Sequence, residues 1–356
     1  MREVSRGTPP ACNEPACNAQ GEVVKDGGFV VEGAILVVLL TGVAGFVGYH
    51  VAERLAASGA EVIGIDNFND YYDVALKEAR IARLTRPGFT LHRADIADRA
   101  AMEAIARESP GITHVVHLAA QAGVRYSMVN PFAYIHSNVM GHLVMLETAR
   151  LLPDLQHFVY ASSSSVYGLA KEFPLEEGGA VDEPTSLYAA TKRADELMSH
   201  AYTHLFALPQ TGLRFFTVYG PWGRPDMAYY GFAEAIVAGK PITLYDGGLL
   251  KRDFTYIDDI VTGVVGVMDR PPPPGPPRIL NIGNNRSEKV SHLVRLLETG
   301  LGRPAIIRTQ SRPLADVVET WASIDAITAL TGYAPATSLE AGVPRFVAWF
   351  KAYHGV

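Results

Sequence analysis

A chain of 356 residues with ordinary globular composition is long enough for about two domains. Its formal net charge of −6 comes without any lysine/arginine block, which argues against a nucleic-acid surface but leaves room for a local basic site that takes a small anion. The two cysteines, Cys12 and Cys17, are too few for a disulfide framework or a structural zinc site, and fit a reducing, cytoplasmic compartment.

The first 33 residues are rich in Gly, Pro, Asn and Glu and read as a disordered extension. The apolar run Ala34 to Leu40 is too short for a membrane span and lacks a signal-peptide layout, so it reads as a strand. Being continuously apolar up to Thr41-Gly42, it suits a strand buried on both faces of a parallel sheet. Gly42-Val43-Ala44-Gly45-Phe46-Val47-Gly48 then leads into helical spacing over Tyr49–Ser58. Glycines there permit a tight turn and close backbone approach to a pyrophosphate, which the helix N-terminus attracts. The next strand, Glu61–Asp66, ends in a carboxylate 24 residues past Gly42, placed to hold a ribose diol. An acid at that point repels a 2′-phosphate, and Asn67 follows it where an arginine would serve NADP. NAD is therefore favoured.

The alternation continues. A helix over Val74–Leu84 precedes a strand Thr90–Arg93, after which Asp95-Ile96 suits an adenine edge. The strand His114–Leu118 runs into Ala119-Ala120-Gln121-Ala122-Gly123, where small residues would let a cofactor lie flat over the strand ends. A long helix, Pro131–Leu151, precedes the strand His157–Ser162 and the serine run Ser162–Ser165. This order predicts an α/β, Rossmann-type doubly wound parallel sheet with ligands at the carboxyl ends of its strands. Farther on, Tyr188 and Lys192 sit four apart on a helix and so share a face. A cation there favours the ionised phenol, which can take a proton from a hydroxyl or return one. Alone, such a pair is common by chance.

After Gly212–Phe216 and Thr217 the texture changes. Pro221–Met227 is a breaker-dense rim, and Lys251–Asp259 puts two cations beside a β-prone run. Asp258-Asp259 reads as a helix cap. Pro271–Pro277 is a rigid connection, and residues 287–300 and 339–353 have helical period. The division this suggests is a dinucleotide-binding domain over 34–220, with 254–285 returning to it, and a smaller mixed α/β substrate domain from 221–253 and 286–356. His200 and His204 have a metal-binding spacing, but no Glu adjoins His200 and no metal is expected.

Taken together, these stretches resemble the extended short-chain dehydrogenase/reductase family and, within it, the nucleotide-sugar 4-epimerases, most closely those acting on UDP-glucuronate. The resemblance runs from about Ile35 to Trp349 and rests on Thr41–Gly48, Ile65–Asp73, His117–Ser127, Ala161–Gly168, Ser186–Lys192, Leu213–Met227 and Arg252–Asp259. It implies NAD as cofactor and a UDP-sugar substrate that passes through a 4-keto intermediate. Tyr188 would be the acid/base at sugar carbon 4, Lys192 would hold the nicotinamide ribose, and Ser163 would bond the reacting oxygen, with the neighbouring serines leaving that choice open by one residue. The cofactor set would be Gly42, Gly45, Phe46, Val47, Gly48, Asp66, Asn67, Asp95, Ile96, Leu118, Ala119, Ala120, Gln121 and Asn138. Ser164, Ser165, Thr217 and Arg224 would receive the uronate carboxylate, Arg252 the diphosphate and Arg125 the substrate loop, with Met227 and Asp316 also on the substrate side. Arg312–Val317 departs from the usual Gln-Pro-Gly-Asp-Val pattern, although Asp316 keeps its place. A homodimer through the helices near 131–151 and 188–206 is implied, matching the apolar stripe Leu197, Met198, Ala201, Tyr202, Leu205. The alternatives are a UDP-glucose 4-epimerase, a UDP-glucuronate decarboxylase, or a non-catalytic dinucleotide-binding sensor. The decarboxylase lacks support because Val166-Tyr167-Gly168 follows the serines without the acid expected there. The sensor is disfavoured because Ser163, Tyr188 and Lys192 are all present.

Overall fold

The computed structural model describes residues 36–313 and 317–356, so the extension anticipated over 1–33 and the substrate residue Asp316 lie outside the described residues. The first half alternates as read: β1 (Val37–Thr41), α1 (Phe46–Ala57), β2 (Glu61–Asp66), α2 (Val74–Leu84), β3 (Phe89–Arg93), α3 (Arg99–Glu108) and β4 (His114–His117). Then come α4 (Pro131–Tyr134), a π-helical turn (Ile135–Met140), α5 (Gly141–Ala149), β5 (His157–Ser163), α6 (Leu187–Phe206), β6 (Gln210–Phe215) and β7 (Thr217–Tyr219). The remainder is α7 (Ala228–Val237), β8 (Pro241–Tyr245), β9 (Lys251–Tyr256), α8 (Ile257–Met268), β10 (Arg278–Ile282), β11 (Ser287–Lys289), α9 (Val290–Leu301), β12 (Ile306–Gln310), α10 (Asp325–Thr331) and α11 (Leu339–His354).

Seven strands form one sheet in the order β10-β6-β5-β4-β1-β2-β3, every pair parallel. The chain reverses direction across the sheet between β1 and β4, the place where such sheets open a ligand crevice. β1 shows why the apolar run is continuous. Val38 and Leu40 pack into one core with residues of α1 and α8, while Leu39 packs into another with Ile63, Met102 and Met145. Burying such side chains contributes roughly 1.5–3 kcal/mol each. β10 returns the chain to the large sheet beside β6, and α8 packs on α1. Two smaller units complete the fold: β11-β9-β7, and the parallel pair β12-β8.

Local chemistry sets the boundaries. Asp73, Asp98 and Ser186 each accept a backbone N–H at the start of α2, α3 and α6, a cap worth about 1 kcal/mol. α1 begins at Phe46, earlier than the helical spacing alone indicated, because the glycine turn itself serves as its start. The long helix over 131–151 is interrupted by the π turn. That turn directs Asn138 inward, where its side chain meets both the N–H and the carbonyl of Gln121. Residues 287–289 are a short strand rather than the first turn of a helix, because they pair antiparallel with β9. The Asp258-Asp259 cap is corrected as well. Tyr256 occupies the cap position of α8, both acids lie in its first turn, and Asp259 accepts the backbone N–H groups of Ala336 and Thr337.

Candidate active site

The carboxyl ends of β1, β2, β4, β5 and β6 open onto a cavity of about 430 Å³. Its floor is the glycine turn. Gly42 has φ +73°, and a Cβ there would lie 2.8 Å from the Ala119 nitrogen; a Cβ on Gly48 would lie 2.1 Å from the Gly42 carbonyl oxygen. Only glycine allows the helix, turn and neighbouring strand to approach this closely. At the tip of β2, Asp66 is 7% exposed and accepts the N–H groups of Ala44 (3.1 Å) and Phe68 (2.8 Å). These bonds orient its carboxylate at the cavity wall, with the Lys77 ammonium 3.9 Å away. A cradle that a Cβ would fill, ending at a fixed acid, fits a dinucleotide with a free ribose diol.

Most predicted cofactor residues line this cavity: Gly42, Gly45, Phe46, Val47, Gly48, Asp66, Asn67, Ile96, Leu118, Ala119, Ala120 and Gln121. Two do not. Asp95 stands behind the rim, where it accepts from Asn67 Nδ2 (3.1 Å) and the Ala97 N–H (2.8 Å) and meets His136 Nε2 (3.3 Å). Asn138 is 1% exposed and braces the Gln121 loop, donating to Thr191 Oγ1 as well. Both shape the wall from outside it.

The three predicted catalytic residues meet at the other end. Tyr188 lies in the first turn of α6, its ring edge-on to Tyr134 with centroids 6.1 Å apart. One helical turn on, the Lys192 ammonium donates to the Ala161 carbonyl and to Asp195 Oδ2, both at 3.0 Å. The serine run divides its work. Both Ser162 and Ser163 border the cavity, but the Ser162 hydroxyl is committed to Glu196 Oε1 at 2.6 Å, whereas that of Ser163 accepts from the Ser165 N–H at 3.1 Å.

Ser164, Ser165, Thr217, Arg224, Met227 and Arg252 line the same space. Arg224 is already engaged by Asp226, Nε to Oδ1 at 2.9 Å and Nη2 to Oδ2 at 2.5 Å, and Tyr71 donates to the same carboxylate at 3.2 Å. Burial works against the Asp226 charge, but Arg224 outweighs it and holds the carboxyl below its ordinary range. Arg125 lies exposed, outside this lining, its guanidinium over the Tyr245 ring at 4.8 Å.

Behind the site lies a polar layer that periodicity did not reveal. Glu196 takes both arms of Arg214 at 2.9 Å; burial opposes its charge, yet Arg214 keeps it ionised below the usual range. Burial, with the Lys192 charge beside it, drives His117 down to about 3. Arg80, fully buried, donates to the Ala44 carbonyl of the glycine turn and to the carbonyls of Trp222 and Gly223. It thereby ties the glycine turn to the rim loop over 220–227. A cation within the buried stripe Leu76, Lys77, Arg80, Ile81, Leu84 was the available signal.

Residues 38–283 match the NAD dependent epimerase/dehydratase family. A probable UDP-glucuronate 4-epimerase of Rhizobium meliloti (strain 1021) is 45% identical over 330 residues, covering 88% of this chain and 96% of the relative. UDP-glucuronate 4-epimerase 4 of Arabidopsis thaliana is 46% identical over 333 residues, covering 90% of this chain and 76% of the relative. Among solved structures, the UDP-glucuronic acid 4-epimerase of Bacillus cereus, in complex with UDP-glucuronic acid and NAD, aligns with a TM-score of 0.83 at 32% identity, covering 89% of this chain and all of that one.

Proposed function

Because this chain belongs to the NAD dependent epimerase/dehydratase family, we propose that it interconverts UDP-glucuronate and UDP-galacturonate by inversion at sugar carbon 4. The observation that carries this reading is the meeting of Ser163, Tyr188 and Lys192 with the glycine turn and Asp66 around one cavity. Bound NAD supplies the reversible two-electron acceptor that lets carbon 4 pass through a ketone. The turn Gly42–Gly48 and the start of α1 receive its pyrophosphate, and Asp66 its ribose diol.

Tyr188 removes the proton of the 4-hydroxyl and returns it to the inverted alcohol, while Ser163 holds the same oxygen. The Lys192 ammonium, fixed by two protein acceptors, has a third N–H for the nicotinamide ribose. Arg252 anchors the diphosphate so that the sugar is free to turn. Ser164, Ser165, Thr217 and the Arg224 donors left over by Asp226 receive the uronate carboxylate. That restraint matters because a 4-keto uronate is a β-keto acid and loses carbon dioxide readily.

Exposed apolar side chains on these helices, Phe132 (83% exposed) on α4 and Leu205 (65%) and Leu197 (55%) on α6, support a homodimer through α4, α5 and α6, to be checked by sedimentation of the full chain. The two-cysteine composition supports residence in the cytoplasm. Among the described residues no helix is long and apolar enough to cross a membrane.

The test is incubation of the purified protein with UDP-glucuronate without added reductant, with the products resolved by chromatography. UDP-galacturonate is expected, and its formation disappears in Tyr188→Phe. A UDP-pentose with carbon dioxide replaces the reading by decarboxylation, and turnover of UDP-glucose alone replaces it by a neutral-sugar epimerase. No turnover of either overturns it.

A further inference from the structure

Tyr188, Lys192, Asp195 and Ser199 follow one another along a single face of α6. Tyr188 borders the cavity; behind it Lys192 is 3% exposed, Asp195 1% and Ser199 0%. Asp195 is tied to the protein in an unusual way. One carboxylate oxygen, Oδ2, takes the Lys192 ammonium at 3.0 Å, and the other, Oδ1, is buried with no protein hydrogen-bond partner. Its sequence neighbour Glu196 shows what a buried carboxylate kept for stability looks like, with Ser162, Arg193 and Arg214 sharing its two oxygens. A half-satisfied buried acid weakens a fold, so the part Asp195 plays is sought at the lysine it touches.

We infer that Asp195 is a positioning residue: it fixes the Lys192 ammonium beside Tyr188 and, as its buried counter-charge, sets how strongly that ammonium stabilises the Tyr188 phenolate. This rests on the reading of Tyr188 as the proton-transfer group. The two acceptors, Ala161 O and Asp195 Oδ2, fix the ammonium at 3.0 Å each and leave one N–H of a residue that, with Tyr188, lines the cavity. The ionised carboxylate also cancels part of the field that reaches the phenol.

The groups packed around this pair keep constant charge through the neutral range. From β4 and α5, His117 and His142 are held neutral, burial pulling the first to about 3 and the second well below the usual value. From β5, burial pushes the Tyr160 phenol up, so it stays protonated. Arg214 of β6 stays cationic, and Glu196 on α6 itself stays ionised because Arg214 outweighs its burial. Asp195 differs: burial pushes it up to about 6, against the pull of Lys192. Its charge, and with it the damping of Lys192, changes at mildly acidic pH.

Two variants of the NAD-loaded full chain test this. Asp195→Asn keeps a side-chain oxygen for Lys192 and removes the charge; Asp195→Ala removes both. The first measurement is the ultraviolet phenolate absorbance against pH, taken as the difference from Tyr188→Phe, which needs no sugar. The second is the pH dependence of kcat and KM with UDP-glucuronate. In Asp195→Asn the phenolate signal and the acidic limb of kcat both move to lower pH by about one unit, with KM unchanged. In Asp195→Ala kcat falls roughly tenfold or more because Lys192 is no longer fixed, and the asparagine restores most of it. Superimposable phenolate curves for Asp195→Asn and the parent protein overturn the inference, whether or not the alanine variant folds. If the parent protein does not turn over UDP-glucuronate, the substrate reading falls, and the phenolate curves still decide the role of Asp195.

Discussion

Replacing Arg80 by methionine tests the clamp between the glycine turn and the rim loop, because the apolar stem stays and the guanidinium with all of its donors is removed. In the parent protein the guanidinium makes five hydrogen bonds: Nη1 to Ala44 O and to the Tyr72 hydroxyl (both 2.8 Å), Nε and Nη2 to Trp222 O (3.1 and 2.7 Å), and Nη2 to Gly223 O (2.9 Å). Stranding a buried carbonyl costs about 1–3 kcal/mol, and three carbonyls lose this donor at once. Removing a buried charge offsets part of that loss. A net destabilisation of roughly 3–5 kcal/mol remains, which at about 2 °C per kcal/mol for a domain of this size lowers Tm by roughly 6–10 °C. Released from Arg80, the turn carrying Ala44 binds NAD about tenfold more weakly, since preorganisation is lost. Circular-dichroism melting and titration of bound NAD read the two effects. A Tm drop below about 2 °C, with NAD affinity intact, would refute the clamp. Arg80→Lys falls between, because an ammonium cannot span the same acceptors.

Three further outcomes follow from the geometry. Gly48→Ala places a Cβ 2.1 Å from the Gly42 carbonyl, so the turn has to open; NAD retention falls by more than tenfold on about the same circular-dichroism spectrum. Arg224→Met removes a restraint on the uronate and raises UDP-pentose relative to epimer in the chromatographic assay; an unchanged ratio removes Arg224 from that role. The third concerns acid. Burial lowers His50, His114 and His157 to about 4 and His117 to about 3, and His142 lies well below its usual value. A depressed folded value means that the unfolded chain takes up the proton first, so stability is complete above about 6.5 and is lost as pH falls toward the folded values. Each histidine contributes about 1.4 kcal/mol of lost stability per pH unit in that window. Urea midpoints at pH 7 and pH 5 therefore differ steeply, and equal midpoints would show that these rings are not held neutral.

What could be read before folding was whatever local chemistry decides. β2 and α2 match their anticipated bounds residue for residue, because Asp66 ends one and the side chain of Asp73 caps the other. The glycine turn, the acid at the tip of β2 and the Tyr188–Lys192 face reach one cavity because strand–helix alternation forces them there. Asn138 and Asp95 fell outside it for a tertiary reason. The π turn rotates the first into the Gln121 loop, and Asn67 and His136 hold the second at the back of the rim. No spacing rule reports such partners, since they come from elements 17 to 41 residues away.

Charge is where the whole-chain figure and the site diverge most. A net charge of −6 describes the chain, yet Lys77, Arg80, Lys192 and Arg224 all converge on the crevice or the turn beneath it. Each is held by acceptors already in the protein: Asn69 for Lys77, three carbonyls for Arg80, Ala161 and Asp195 for Lys192, Asp226 for Arg224. Desolvating these cations without partners would be prohibitive, so the fold provides the partners in advance. A uronate entering this site therefore meets an arginine already paired to a carboxylate. In the seat proposed above, its recognition rests on geometry, on the remaining Arg224 donors and the hydroxyls of Ser164, Ser165 and Thr217, more than on net attraction. For a reaction whose intermediate sugar has to turn over in place, a carboxylate seat of modest strength is an advantage: it restrains decarboxylation without fixing the ring on one face.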